Sequence, residues 1–171
     1  MDNYILVTGA PGSRWSGYVE EHLYTRNDID TSDRSSEREY WIHGDLMHRG
    51  AYFDPEMEFG NFREDWDKPF SGTGTRIIKS HFFSCQLHLL KDYGYPMHIV
   101  MRTDEECFEW WHQAGGWDIT YPSYKYYKDN ETMKSFISFQ NYMMRKFVER
   151  EKLEKHSDGK RDYYIWTKEN G

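Results

Sequence analysis

The sequence is poor in cysteine and has no long apolar run. Two cysteines, Cys85 and Cys107, are too few for the disulfide framework of a small secreted domain, so we predict two reduced thiols. No apolar stretch reaches the about 20 residues that a membrane-spanning helix needs, and the amino terminus lacks a signal-peptide pattern. We therefore expect a soluble, cytoplasmic protein that does not bind membranes.

The chain also lacks an excess of basic residues. Its formal net charge is -7 and its pI is about 5.6. A general grip on nucleic acid needs a basic face, so nucleic acid is not an expected partner. A small anionic ligand remains compatible with this charge, because it needs only a few local cations.

The chain is rich in aromatic residues and poor in branched aliphatic residues. Phe, Trp and Tyr make up 18% of the chain, which predicts an unusually aromatic core and some aromatic side chains in a ligand groove. The length of 171 residues is most simply one domain, spanning residues 1–171.

Apolar runs and helical periodicity alternate along the chain. The runs predict buried strands at 4–8, 76–81 and 97–101 and a last strand at 161–167, and the periodic segments predict helices over 16–26, 83–92, 104–115 and 130–155. Such alternation is typical of an α/β fold with a small, mostly parallel central sheet flanked by helices on both faces.

Residues 27–75 contain no long periodic segment but many aromatic side chains. Loops of this length are usually functional or disordered, and the aromatic content favours an ordered cover over an acceptor site. His43, Asp45 and His48 in this segment have metal-capable side chains. Because no fourth ligand is in evidence, no metal is expected.

The run from residue 76 to residue 81 is the most informative segment. It predicts a buried strand that ends in Lys79 and His81, two residues apart and therefore on one face. In open α/β sheets, ligands bind at the carboxyl ends of the strands. A fixed cation beside a titratable imidazole suits the transfer of an anionic group, with His81 taking a proton and Lys79 stabilising charge. The alternative is a polar strand end at the protein surface.

A glycine-containing loop, residues 9–17, follows the first predicted strand and precedes a helix. This arrangement can cradle phosphate on backbone N–H groups. The ATPase pattern G-x-x-x-x-G-K-[ST] is absent, because Arg14 and Trp15 stand where its glycine and lysine would be. The alternative is a plain strand-to-helix turn. The candidate ligand-binding residues of the loop are Pro11, Gly12, Ser13, Arg14, Trp15 and Ser16.

Together these segments resemble the sulfotransferases that use 3'-phosphoadenosine 5'-phosphosulfate (PAPS). Cytosolic members of that family carry a strand ending in Lys-Thr-His, and this chain has Lys79-Ser80-His81. The family then has an Arg-Asn-Pro-x-Asp signature opening a helix, and Arg102-Thr103-Asp104 stands in its place. The resemblance covers roughly residues 4–26 and 75–115.

The resemblance implies a P-loop-like three-layer sandwich that binds PAPS as co-substrate and needs no metal. It implies that Lys79 contacts the donor near the bridging oxygen and that His81 is the catalytic base. Arg102 matches the arginine that binds the donor's 3'-phosphate. The acceptor would be a small molecule or a sugar carrying a hydroxyl group, and the oligomeric state is left open.

Several positions depart from the family pattern. The basic residue of the first loop is displaced to Arg14, and Trp110 falls near the place of a serine that helps to hold the 3'-phosphate. The resemblance therefore makes Trp110 a candidate cofactor-binding residue, whose indole would narrow the donor pocket or turn inward. The chain is also shorter than typical members and lacks a clear Arg-Lys-Gly motif near its end. Two alternatives therefore stay open: a nucleotide-binding or structural protein without transfer chemistry, and a small-molecule or nucleotide kinase.

Other features of the same residues have simpler interpretations. Trp110 and Trp111 are expected to pack in the core rather than against adenine, and Arg102 could simply pair with an acidic residue of the following helix, Asp104 or Glu105. A loose basic cluster near the carboxyl terminus is expected to be solvated. It comprises Lys155, Lys160 and Arg161.

Overall fold

The computed structural model describes residues 3–33, 40–42, 45–48, 63–118 and 128–170. A six-stranded sheet has the strand order β2-β5-β1-β6-β8-β7, and β3 and β4 form a separate antiparallel pair. The strands are β1 (Tyr4–Gly9), β2 (Ile29–Asp30), β3 (Tyr40–Ile42), β4 (Asp45–His48), β5 (Thr75–Lys79), β6 (Met97–Met101), β7 (His156–Ser157) and β8 (Asp162–Trp166).

The sheet is mixed, with a parallel centre. Strands β2, β5, β1 and β6 run parallel, whereas β8 pairs antiparallel with both β6 and β7. Strand β1 lies between β5 and β6, where Val7 pairs with Lys79 and Gly9 pairs with Val100. The carboxyl ends of these three strands therefore meet at one edge. The predicted α/β class is confirmed, and the sheet is mixed, with two antiparallel strand pairs beside its parallel centre.

Helices pack on both faces of this sheet. They are α1 (Trp15–Tyr18), which continues into a π-helical segment (Val19–Leu23), then α2 (Leu87–Leu90), α3 (Asp104–Gln113) and α4 (Asn130–Glu151). Short 3-10 segments lie at Arg63–Asp65, His81–Cys85, Lys91–Tyr93 and Gly116–Asp118.

Local signals account for the best-defined helix ends. Thr103 and Glu106 form a capping box at the start of α3, as Asp129 and Thr132 do at the start of α4. Helix α4 ends four residues before the predicted 155, because Lys152 takes a left-handed conformation with φ 53. The helix predicted over 16–26 ends at Leu23, and the one predicted over 83–92 is divided into short 3-10 and α segments.

Alternation along the strands divides the core in two. On one face Ile5, Val7 and Ile77 pack with α1 and the π-helical segment. On the other face Leu6 and Ile78 belong to the larger cluster, which includes buried side chains of α2, α3 and α4. The period of two along the strands places apolar side chains on both faces of the sheet, which explains why helices cover each face.

The predicted cover over 27–75 is described only in part, because 34–39, 43–44 and 49–62 lie outside the described residues, His43 among them. The side chains of Asp45 and His48 also lie outside them. In the described part of the segment, Trp66 and Phe70 pack in the larger core cluster. Neither Cys85 nor Cys107 forms a disulfide, as predicted. Within the described ranges, no helix combines the length and the apolar character needed to span a bilayer.

The loop after β1 is pressed against α3 at Gly12. Gly12 has φ 82, and a Cβ atom there would lie 1.7 Å from the carbonyl oxygen of Cys107. Gly159 also has a positive φ of 84, but an added Cβ atom would meet nothing within 4 Å. Alanine substitutions at these two glycines can therefore distinguish the cost of left-handed backbone strain from the cost of a steric clash with α3.

We expect Gly12→Ala to lower the free energy of unfolding by roughly 2–5 kcal/mol, because it adds a steric clash to left-handed strain. Gly159→Ala should cost only about 1 kcal/mol, the strain alone. Urea denaturation of both variants measures the difference. Equal losses in the two variants would show that the close packing on α3 contributes little.

Candidate functional site

The loop between β1 and α1 is a tight turn with a left-handed exit. The N–H group of Ser13 donates to the carbonyl oxygen of Ala10 at 3.0 Å, and Arg14 has φ 63 and ψ 30 immediately before the helix. Ser13 is fully buried, and its hydroxyl has no hydrogen-bond partner among the described residues. The turn therefore delivers Trp15 and Ser16 to the carboxyl edge of the sheet.

Lys79 ends β5 and points to this loop. Its side chain is largely buried, with the residue 5% exposed, and its Nζ donates to the hydroxyl oxygen of Ser16 at 3.0 Å. The same Nζ lies 4.5 Å from the centroid of the Trp15 ring. The sequence prediction that Lys79 and the first loop form one site is consistent with these contacts.

His81 does not lie in the strand, and this part of the sequence prediction is wrong. Strand β5 ends at Lys79, and His81 begins a 3-10 segment capped by the side chain of Ser80, which accepts from the N–H group of Phe82. The buried hydroxyl of Thr8 donates to the carbonyl oxygen of Ser80 at 2.8 Å. This cross-strand bond holds the turn, so His81 approaches the site from the turn rather than from a shared strand face.

The His81 imidazole is held by two contacts, one with the last residue of β1 and one with the first residue of α1. Its Nδ1 lies 2.5 Å from the carbonyl oxygen of Gly9, and its ring stacks on Trp15 with centroids 3.7 Å apart and an interplanar angle of 14°. A carbonyl oxygen only accepts, so Nδ1 carries the hydrogen and Nε2 carries the lone pair. The neutral ring is therefore oriented as a proton acceptor through Nε2.

His81 is half-buried, and desolvation of its ring is the largest cause of its altered pKa. Loss of water around the ring lowers its pKa to about 3, the bond to Gly9 acts in the opposite direction, and the positive charge of Lys79 lowers the pKa further. The imidazole is thus neutral at pH 7. Lys79 and His81 both contact Trp15, so the structure brings the two predicted catalytic residues to one indole.

Arginine side chains gather beside the same loop. The guanidinium of Arg14 lies 4.0 Å from the centroid of the Trp110 ring. Its pKa is lowered first by burial and then by the positive charges of Arg102 and Arg161, so both of these guanidinium groups lie close enough to repel Arg14. Trp110 is half-buried and supports Arg14, whereas Trp111 is buried in the core as predicted.

Arg102 follows β6 and is engaged by the first turn of α3. Its Nη2 donates to the carboxylate of Glu106 at 3.1 Å, and its Nη1 donates to the Glu106 carbonyl oxygen at 3.3 Å. The ion pair expected with Asp104 or Glu105 is therefore made with Glu106. The Nε of Arg102 is buried with no hydrogen-bond partner among the described residues.

Arg161 is the residue that the sequence reasoning misjudged most. It was expected to be solvated, but its side chain is 0% exposed, with Nη2 at 2.7 Å from the Glu21 carboxylate and Nε at 3.1 Å from that of Asp158. Its Nη1 is buried with no hydrogen-bond partner in the described part of the chain, and it faces Gly17. The nearby Asp158-Gly159 turn was the one sequence signal for a packed hairpin here.

Lys155 and Lys160 conform to the expected solvated cluster. The side chain of Lys155 is 62% exposed and that of Lys160 is 46% exposed. Lys160 nevertheless donates to the Glu21 carboxylate at 2.8 Å, and this bond is the largest cause of the lowered pKa of Glu21. Because Glu21 binds two cations, it anchors the β7–β8 hairpin to the π-helical segment.

Glu21, His22 and Asp158 form a metal-capable group within the described residues. Their ligand atoms all lie within 4.8 Å of one another. His22 is 2.8 Å from Asp158, and the two carboxylates already pair with Lys160 and Arg161. A metal ion would have to displace these cations, so the group is better described as an ion-pair network.

No known protein family, curated protein or solved structure matches this chain.

A second histidine is buried behind the site. His98 on β6 is 7% exposed, and its Nδ1 is 2.6 Å from the hydroxyl oxygen of Tyr18 in α1. Burial lowers the pKa of His98 to about 4, and the charges of Arg26 and His22 act in the same direction. Between about pH 4 and pH 6.5, the His98 imidazole is therefore mostly neutral in the folded protein and mostly protonated in the unfolded chain.

We expect the free energy of unfolding to be highest above pH 6.5 and to fall as the pH drops from 6.5 toward 4, because the unfolded chain then binds more protons. The contribution of His98 should be lost at up to about 1.4 kcal/mol per pH unit. His81 should contribute in the same direction, so the informative comparison is wild type against His98→Gln. Denaturant titrations from pH 7 to pH 4.5 should give a steeper decline for wild type; parallel declines would contradict the prediction.

Proposed function

We propose that the protein is a sulfotransferase that moves a sulfuryl group from PAPS to an acceptor hydroxyl, with His81 as the base and Lys79 stabilising the leaving phosphate. The observation that carries the proposal is the convergence of Lys79 and His81 on the Trp15-Ser16 start of α1. A cation and a neutral imidazole with an available lone pair meet there at the carboxyl ends of the parallel central strands, where such folds bind ligands.

The proposed reaction uses the two groups in complementary ways. The acceptor oxygen attacks sulfur while its proton passes to Nε2 of His81, and the bond between sulfur and the bridging phosphate oxygen breaks. The electron pair of that bond stays on the phosphate as negative charge, which Lys79 stabilises. The anionic donor also raises the low pKa of His81, because negative charge beside an imidazole favours its protonated form.

The order of the parallel strands supports the finer assignment to a P-loop-like sandwich. The loop that would cradle phosphate follows β1, the central strand, and the lysine ends its neighbour β5. Arg102 follows β6 on the other side of β1. The three features that the resemblance links in sequence thus belong to three adjacent strands.

The arginine side chains beside the first loop favour a donor that carries a second phosphate group. Arg102 and Arg161 both repel Arg14, and a phosphate bound beside these guanidinium groups would relieve that repulsion and accept charge-assisted hydrogen bonds. The buried Nη1 of Arg161 and Nε of Arg102 have no hydrogen-bond partner among the described residues. This cluster suits the 3'-phosphate of PAPS better than the plain ribose of ATP.

The ion pair between Arg102 and Glu106 favours a second candidate function, nucleotide binding without transfer chemistry. The guanidinium of Arg102 is occupied by Glu106, and Trp15, which is 7% exposed, covers Lys79 and His81. A protein of this fold that binds a nucleotide without transfer chemistry could keep both contacts. Nucleotide binding with no turnover of any acceptor would favour it over the transferase, whereas magnesium-dependent use of ATP would favour a kinase.

We expect adenosine 3',5'-bisphosphate to bind more tightly than ATP, because the arginine cluster offers charge to a 3'-phosphate. Arg102→Ala should weaken the bisphosphate by about 1.5–3 kcal/mol, as loss of a charge-assisted hydrogen bond does. Isothermal titration calorimetry measures both affinities. Arg26→Ala, which removes an exposed arginine paired with Asp28, is the matched control. Equal wild-type affinity for nucleotides with and without a 3'-phosphate would argue against the donor assignment.

We expect His81→Ala to reduce sulfuryl transfer by about 10²–10⁴-fold, the usual contribution of a general base, while donor binding changes little. The assay follows transfer of labelled sulfate from PAPS to a panel of phenols, alcohols and sugars. His88→Ala, which removes an exposed histidine of α2, controls for the loss of an imidazole elsewhere. Wild-type turnover in His81→Ala would remove His81 from the reaction.

A further inference from the structure

We propose that Trp15 is a positioning residue for His81, whose indole holds the imidazole so that Nδ1 stays bonded to the Gly9 carbonyl and Nε2 keeps its lone pair for the acceptor. The inference rests on the proposed function for the role of His81 as base. It assigns to Trp15 a task beyond donor binding. It also predicts a property of the resting protein that can be observed without any donor.

Two constraints are needed to orient a histidine ring, and the first loop supplies both. The Gly9 carbonyl oxygen, 2.5 Å from Nδ1, fixes one atom of the ring. The nearly parallel stack on Trp15, at 14° and 3.7 Å, fixes the plane of the ring. Without the stack, the imidazole could rotate about its side-chain bonds, and Nε2–H would then compete with Nδ1–H as the neutral form.

Trp15 itself has little freedom to move away. It is 7% exposed and packs in the smaller core cluster with Tyr18 and Val19. The left-handed Arg14 directly before it turns the chain into α1. The indole is therefore set by the fold, and the imidazole adapts to it.

The same indole relates the base to the cation. The Nζ of Lys79 lies 4.5 Å from the Trp15 ring centroid, so Lys79 and His81 rest on one rigid side chain. Among the described residues, Lys79 is the charged group that acts on the imidazole, and burial is the larger influence. Removing the indole should admit water to His81 and loosen both contacts.

The test is a pair of NMR measurements on the protein without donor. Long-range 1H–15N spectra report which ring nitrogen carries hydrogen, and His81 is assigned by the signals missing from His81→Ala. In wild type we expect the Nδ1–H form and no titration of His81 between pH 5 and 8. In Trp15→Ala we expect a mixture of neutral forms and a titration within that range. Trp15→Phe, which keeps a planar ring, should restore the wild-type pattern.

Two further variants guard against loss of the fold. Trp15→Leu keeps apolar bulk without a planar face, and it replaces Trp15→Ala if that variant does not fold; it too should give mixed neutral forms. Trp111→Phe alters a buried tryptophan that packs on Trp117 in another part of the chain, and it should leave the His81 signals unchanged. Wild-type His81 signals in both Trp15→Ala and Trp15→Leu, or in whichever of them folds, would overturn the positioning role.

The outcome separates this inference from the proposed function. If the His81 signals change as expected but wild type binds no PAPS, the positioning of His81 stands and the transferase proposal fails. If wild type transfers sulfuryl groups while the Trp15 variants keep the wild-type signals, the transferase stands and the positioning role fails. A matching loss of turnover in Trp15→Leu and its recovery in Trp15→Phe would support both.

Discussion

The position of β1 between β5 and β6 is the constraint on which the candidate site depends. Because the three strands run parallel and in register, the loop after β1, the lysine at the end of β5 and the arginine after β6 come to one edge of the sheet. Every residue of β1 is buried, so this strand cannot slip by one position without moving its side chains to the opposite core. The register of the central strands therefore fixes the relative positions of the site residues.

The candidate site is rich in positive charge, although the net charge of the chain is negative. An acidic protein places Lys79 and Arg161 in largely buried positions, where a cation is costly unless its charge is balanced and its donors are bonded. Glu21 and Asp158 balance Arg161, and Ser16 accepts from Lys79. The net charge thus indicates which charged molecules the surface as a whole attracts. The positions of individual cations and of the carboxylates that pair with them decide where an anion can bind.

Sequence reasoning was most accurate where one signal dominated. The apolar run at Met97–Met101 is β6 with the predicted bounds, because a proline, Pro96, precedes the run and a charged residue, Arg102, follows it. The prediction that His81 lies in the strand was wrong, because the run of apolar residues does not indicate where strand pairing stops. Ser80 ends the strand by capping a 3-10 segment. Arg161 was misjudged because its partner Glu21 is 140 residues away in the chain.

The sequence by itself determined the α/β class, the central strands and the identity of Lys79, His81 and the first loop as candidates. These follow from local periodicity and from short motifs, which depend on neighbouring residues. Only the tertiary structure decided that Trp15 lies against both Lys79 and His81, that Nδ1 of His81 faces the Gly9 carbonyl, and that Arg161 is buried beside α1. Each of these facts joins residues from distant parts of the chain, and such contacts arise from packing, which no local pattern specifies.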